Sequence, residues 1–403
     1  MLDRVHTAAG KTELGFEAVI FDLDGTLVAT DRFWLPASQR GCRRAFLELG
    51  LERDVPAPRE WLRLVGLPLE LGLEVLFCDL DRDARRRVQE RCEEEEARLV
   101  RGGGAALMPG ARDCLEALRA TGTRLAIASN CSRGYLEQVL GALAIGPLFE
   151  AARCLESPCV RHTHPGAGGP KGAMVADLLE TLGTRSAAFV GDRAGDREAA
   201  HANGLAHVHF SGGFADPEEA DGADGVVDDL ARIPTLLGER GRVLAEVARE
   251  LELDRARNVA VSGEHGTDPE ALGADLVRAV ERAGRGAELV RLVDLGPPGP
   301  ERGLRVASLL RQHRPGRLAV LVGEDLGGEP LTAAAERRLH LVAARAARER
   351  ALLARHRLAG RVPWEEASDG ETRIDAPARP APGGPALCLD LSSPLLPRRV
   401  PGA

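Results

Sequence analysis

Asp22 and Asp24 flank a single leucine, directly behind the apolar run Glu17-Ala-Val-Ile-Phe and just ahead of Gly25 and Thr26. Three later stretches carry complementary chemistry. Ser129-Asn130 follows the apolar Leu125-Ala-Ile-Ala and offers an oxyanion a hydroxyl together with the amides of a helix N-terminus. Lys171 offers a compact positive charge ahead of a helix expected from about Met174. Gly191-Asp192-Arg193-Ala194-Gly195-Asp196 follows Ala187-Ala-Phe-Val and adds two carboxylates. Carboxylates from two strand ends make an all-oxygen site of the kind Mg²⁺ prefers, with water and a substrate phosphate completing its octahedron. A metal there also offsets the repulsion between a carboxylate nucleophile and a phosphate dianion. An acidic pair alone is common in loops; DxDGT, SN, K and GDxxxD in that order are far more specific.

The lysine content sharpens the role of Lys171. The chain of 403 residues has 53 lysines and arginines, and only Lys11 and Lys171 are lysines. Chemistry that needs an ammonium must therefore use one of these two, and none is available beyond residue 171. A net charge of −8 argues against a nucleic-acid-binding surface. No apolar run approaches the roughly 20 residues of a membrane span. The N-terminal MLDRVHTAAGKTELG lacks the apolar core of a signal peptide. Eight cysteines form no CxxC pair and no disulfide framework. The expectation is a cytoplasmic protein with no membrane and no nucleic-acid partner.

These side chains need a frame that gathers strand ends. From residue 125 to 210 apolar runs alternate with helical stretches, expected at residues 132–143, 174–182 and 197–203, and the last run is Ala206-His-Val-His-Phe. Such alternation predicts a parallel sheet covered on both faces, with ligands bound beyond the carboxyl ends of its strands. Residues 32–100 read as helical, an insert between the first two strands, with Glu93–Glu96 as a solvated helix face. Gly102-Gly-Gly ends that insert.

In this order the motifs resemble those of the haloacid dehalogenase (HAD) superfamily, across about residues 15–235. The helical insert is similar to the C1 cap of the phosphoglycolate phosphatase type. The resemblance implies an α/β HAD-type Rossmannoid sheet over residues 1–235, with a cap at about 30–105 inserted in it. It implies a Mg²⁺-dependent phosphatase acting on a small phosphorylated metabolite. Asp22 would attack phosphorus and carry an aspartyl-phosphate. Asp24 would protonate the leaving oxygen and later deprotonate water. Thr26, Ser129, Asn130 and Lys171 would hold the phosphoryl group. Asp22 and Asp192 would bind Mg²⁺ by their side chains and Asp24 by its carbonyl, with Asp196 supporting them. Dehalogenases of the superfamily lack the second acid, so Asp24 favours phosphoryl chemistry. A sugar phosphomutase keeps both aspartates and is the alternative enzyme. Lys171-Gly172 departs from the Lys-Pro of many cap-bearing relatives.

Two other clusters carry weaker signals. Cys154, Cys159, His162 and His164 crowd together before Lys171, but their spacing matches no common zinc site, and an incidental loop is the plainer reading. His207 and His209 alternate on one expected strand and so share a face. Packing explains them as well as substrate contact does.

After a helix at 236–256, read as a linker, alternation resumes. Residues 258–275, NVAVSGEHGTDPEALGAD, run strand, Gly-rich turn, helix, which is the frame of a phosphate-binding loop. Pro269 and Glu270 stand where that loop needs Lys and Ser or Thr. Residues 331–357 read as largely helical, and Ala386-Leu-Cys-Leu-Asp as a last strand. Residues 257–403 resemble a degenerate uridine kinase-like P-loop domain, through VRLVDL (290–295), ERALLARHR (349–357) and ALCLDLSSPLLPRRV (386–400). The resemblance and the missing lysine together imply no kinase turnover, leaving a binding, regulatory or homo-oligomerising surface. A regulatory nucleotide- or metabolite-binding protein is the reading from a different class.

Overall fold

The computed structural model describes residues 15–67, 69–162, 168–213, 215–253, 255–263, 269–295, 300–313, 316–323, 337–342, 386–390 and 398–399. The chain divides into two compact units, one of Glu17–Pro234 and one of the residues from Thr235 onward with Gly15 and Phe16.

The first unit is built on a six-stranded sheet. Its strands are β1 (Ala18–Phe21), β2 (Arg124–Ala128), β3 (Ala151–Arg153), β4 (Ala187–Gly191), β5 (Ala206–Phe210) and β6 (Gly225–Val227), in the order β3-β2-β1-β4-β5-β6, all parallel. Every residue of β1, β4 and β5 is buried, as befits strands covered on both faces. The winding reverses between β1 and β4, so a crevice opens where Asp22 and Asp192 leave their strands.

The chain leaves β1 for four helices, α1 (Thr30–Leu49), α2 (Pro58–Leu62), α3 (Leu69–Leu76) and α4 (Arg82–Arg101), and returns through α5 (Ala111–Ala120) to β2. These four form the expected cap. The Asp81 side chain caps the first turn of α4. Trp34, Trp61, Phe46 and Phe77 meet edge to face inside it at centroid distances of 5.7–5.9 Å, and each buried ring contributes on the order of 2 kcal/mol. The two chain crossings between cap and sheet run side by side: Ala29 N donates to Ala106 O and Met108 N to Leu27 O, both at 2.9 Å. Within the run Glu93–Glu96, Glu93 and Glu94 are exposed as expected, whereas Glu95 is half-buried and so is Glu96. Burial of the Glu96 carboxyl, beside Asp24, pushes it well above the usual range.

Three helices complete this unit: α6 (Arg133–Ala142), α7 (Gly169–Leu182) and α8 (Ala194–Ala202). Ser132 caps α6 through its hydroxyl. The expected start of α7 near Met174 is corrected to Gly169, which places Lys171 within the first helical turn. Pro170 explains the early start, since its fixed φ suits the first turn and its missing N–H costs nothing there. The strands β3 and β6, three residues each, were not apparent in the sequence pattern.

The second unit opens with α9 (Ile233–Leu253), followed by β7 (Asn258–Gly263), α10 (Pro269–Arg282), β8 (Ala287–Arg291), α11 (Pro300–Gln312), β9 (Leu318–Val322), β10 (Arg337–Val342), β11 (Ala386–Asp390) and β12 (Arg398–Arg399). The sheet order is β12-β11-β10-β7-β9-β8, parallel except for β12. Val243, Leu244, Val247, Ala248 and Leu251 of α9 are buried in one core with β7, α10 and β9. The helix read as a linker is thus part of this unit's core. The helical reading of 331–357 is also corrected, because Arg337–Val342 pairs with β7 on one side and β11 on the other. Leu339 and Leu341 alternate at strand spacing, and two rows of strand partners fix the segment as a strand. Residues 264–268 and 343–385, including the turn of the phosphate-loop frame and ERALLARHR, lie outside the described residues, as does Lys11.

Candidate active site

The ends of β1 and β4 bring three carboxylates together. Asp22, Asp192 and Asp196 each offer an oxygen within 4.8 Å of the others, and all three are buried. Among the described residues this is the one group of three or more potential metal ligands. Asp22 continues β1, its N–H donating to Val190 O at 2.9 Å. Asp196 lies in the first turn of α8 and accepts the Arg193 N–H at 2.9 Å. Gly191 makes this proximity achievable: a Cβ there would stand 2.4 Å from Asp196 Oδ2.

Lys171 enters the cluster from α7. Its ammonium donates to Asp22 Oδ1 at 2.7 Å and to Asp196 Oδ1 at 2.5 Å. Burial opposes its charge, but the Asp196 and Asp22 carboxylates outweigh burial and hold it protonated well above the usual lysine value. Two cations, Lys171 and the Arg193 guanidinium beside Asp192, do not balance three carboxylates. Burial, with Asp196 and Asp192 nearby, lifts Asp22 well above the carboxylate range against the pull of Lys171. Burial and then Asp196 raise Asp192 to about 7.

Two oxygens in the cluster are left over. Asp22 Oδ2 and Asp192 Oδ2 are buried with no hydrogen-bond partner. Leaving buried carboxylate oxygens unpaired is costly, so a set of hard oxygen donors with surplus negative charge fits a divalent cation such as Mg²⁺.

The other expected residues surround this group in distinct roles. Thr26, fully buried, donates its hydroxyl to Asp192 Oδ1 at 3.2 Å. Gly25, at φ +86°, turns the chain between Asp24 and Thr26. Ser129 is buried at the end of β2, and its hydroxyl bears on Asp24. The Asn130 amide reaches away from the carboxylates and donates to Gly66 O of the cap at 2.8 Å. Arg193 reaches the same cap segment, donating to Leu62 O at 3.0 Å, while its Nε lies 3.6 Å from Asp192 Oδ2. Asn130 and Arg193 therefore clasp residues 62–66 over the strand ends.

Asp24 stands apart from the carboxylate group. Its Oδ1 accepts from the Thr30 hydroxyl at 2.8 Å and the Tyr135 hydroxyl at 2.5 Å. Burial raises its pKa, and the Tyr135 and Thr30 hydrogen bonds only partly oppose that. Tyr135, Thr30 and Arg193 were not singled out in the sequence. The only signal available was that Tyr135 is the chain's single tyrosine, five residues beyond Asn130.

His207 and His209 are both buried on β5, where packing accounts for them. Burial pushes His207 down to about 3, and neither of its ring nitrogens has a partner. Cys154 is buried and Cys159 half-buried. The side chains of His162 and His164 lie outside the described residues.

The part of the chain that carries this site is similar to known proteins. The sequence profile of haloacid dehalogenase-like hydrolases matches residues 16–204. The phosphoglycolate phosphatase of Rhodospirillum rubrum is 30% identical over 236 residues, covering 55% of this chain and 91% of the relative. That of Haemophilus influenzae (strain 86-028NP) is 29% identical over 237 residues, covering 55% and 98%. A crystal structure described as a predicted phosphoglycolate phosphatase from Haemophilus somnus superposes with a TM-score of 0.47 at 24% identity, covering 55% of this chain and 98% of that one. Among the described residues, no helix is long and apolar enough to cross a membrane.

Proposed function

Because the chain belongs to the haloacid dehalogenase-like hydrolase family and is a phosphoric monoester hydrolase, we propose that Asp22 takes the phosphoryl group of a small phosphomonoester and passes it to water. The observation that carries this reading is the division of labour on Asp22, whose Oδ1 is held by Lys171 while Oδ2 is left unpaired beside Asp192.

Asp22 Oδ2 and Asp192 Oδ2 would hold Mg²⁺, with Asp196 supporting them. When bound, the cation neutralises surplus negative charge and polarises the phosphate. Asp22 Oδ1 is then the oxygen left to bond phosphorus as the ester P–O bond breaks. Lys171 stays charged throughout and holds both Asp22 and the incoming phosphoryl oxygens, with the Ser129 hydroxyl beside them. Thr26 orients Asp192. Asp24, its carboxyl raised toward the protonated form, gives a proton to the departing alkoxide. The resulting carboxylate then takes a proton from water, whose oxygen bonds phosphorus. The Asp22–phosphorus bond breaks and inorganic phosphate leaves. The cap segment 62–66, clasped by Asn130 and Arg193, limits the substrate to small esters.

The relatives' name makes phosphoglycolate the first metabolite to assay. The basic test is hydrolysis of p-nitrophenyl phosphate with Mg²⁺. Asp22→Asn should abolish it, and survival of the activity would remove Asp22 as the nucleophile. For the second unit we propose a degenerate kinase-like domain without phosphoryl transfer of its own, since no lysine follows Lys171 and Pro269 opens α10.

A further inference from the structure

Resting on the assignment of Asp24 as the acid and base, we propose that Tyr135 is a positioning residue for phosphoester cleavage, fixing through its hydroxyl which Asp24 oxygen carries the transferable proton. The Tyr135 and Thr30 hydroxyls both donate to the same oxygen, Oδ1, at 2.5 and 2.8 Å. A protonated carboxyl has one carbonyl-type oxygen and one hydroxyl oxygen. Two converging donors make Oδ1 the acceptor, so the proton resides on Oδ2. After the proton has moved to the leaving alkoxide, the same two donors stabilise the new carboxylate without reorientation.

Tyr135 is itself held from two directions. Its backbone N–H is capped by the Ser132 hydroxyl at 3.2 Å, which fixes the first turn of α6. Its ring stacks on Phe33 of cap helix α1, with centroids 6.5 Å apart and planes 18° from parallel. The phenol is thus braced by both the sheet-borne helix and the cap. Removing the hydroxyl alone leaves both supports in place, which makes Tyr135→Phe a clean probe.

The discriminating measurement is kcat/KM for a series of phosphate monoesters whose leaving groups run from dinitrophenol to simple alcohols. A leaving group that departs readily as an anion needs no proton, whereas an alkoxide does. Tyr135→Phe should therefore stay within about twofold of the native protein on dinitrophenyl phosphate and fall roughly tenfold on alkyl phosphates, a part of the ~10²–10⁴ that a positioned acid contributes. Asp24→Asn should show the same trend more steeply. Thr30→Val removes the other donor and should reproduce the slope in a protein whose Tyr135 is intact. A loss equal for all leaving groups, or no loss at all, would overturn the role of Tyr135. If Asp24→Asn is itself insensitive to the leaving group, the assignment of Asp24 falls, and the two failures are told apart.

Discussion

Replacing Lys171 with methionine tests the charge balance at the strand ends. Lys171 is 4% exposed and pairs with two carboxylates that are themselves buried beside a third. Methionine keeps the apolar stem and removes the charge, so Asp22 and Asp196 lose their cation together. Removing one partner of a buried pair costs about 3–5 kcal/mol. In a unit of this size each kcal/mol moves the unfolding midpoint by about 2–4 °C, so the transition of the first unit should fall by roughly 6–20 °C in EDTA. Mg²⁺ changes the comparison. Three carboxylates without an ammonium gain more from a divalent cation than three with one, so saturating Mg²⁺ should narrow the gap between the two proteins. Calorimetric scans of both proteins, with EDTA and with Mg²⁺, read the two quantities directly. Equal midpoints in EDTA, or a gap that Mg²⁺ leaves unchanged, would refute the idea that Asp22 and Asp196 share Lys171 and that the cluster awaits a further cation.

Other consequences are more local. Gly191→Ala places a Cβ against Asp196 Oδ2, and Mg²⁺-dependent hydrolysis should fall by about 10²-fold, with a higher Mg²⁺ requirement in a titration of rate against metal. Asn130→Ala removes the hydrogen bond to Gly66; at about 1 kcal/mol, amide hydrogen exchange around residues 62–66 should speed up roughly fivefold. His207 takes up a proton near pH 6.5 when unfolded but only near 3 when folded. Its native pKa is depressed, so its penalty is absent above pH 6.5 and grows as pH falls toward 3. His207→Leu should therefore gain about 2 kcal/mol over the native protein at pH 5 relative to neutral pH, measured by urea unfolding.

The carboxylate cluster was legible in the sequence to the extent that its residues sit at or just beyond strand ends. A short apolar run followed by a polar, acid-bearing turn fixes position in a parallel sheet, and Asp22, Asp192 and Asp196 meet there. What each side chain touches was not legible, because it depends on neighbours distant in the chain. Nothing near Asn130 announces that its amide crosses to Gly66, and nothing near Tyr135 points to Asp24. Local propensity also misled where pairing decides. Arg337–Val342 is flanked by helix-forming sequence, yet its two leucines alternate and it has two strand partners. The helix expected from about Met174 starts instead at Gly169, with Pro170 in its first turn. The strands β3 and β6 are too short to leave a periodic trace.

The paired crossings at Ala29–Ala106 and Leu27–Met108 bear on the chain's history as well as its mechanics. Because the cap's entry and exit are hydrogen-bonded to each other, the sheet meets the whole excursion as though it were a hairpin between β1 and α5. The entropy of closing so long a loop grows only slowly with its length, so the helices beyond that junction can be lengthened, shortened or exchanged with little cost to the sheet. The sheet is therefore set by strand order alone, and the cap is tied to the site where Thr30, Phe33, Leu62 and Gly66 meet Asp24, Tyr135, Arg193 and Asn130.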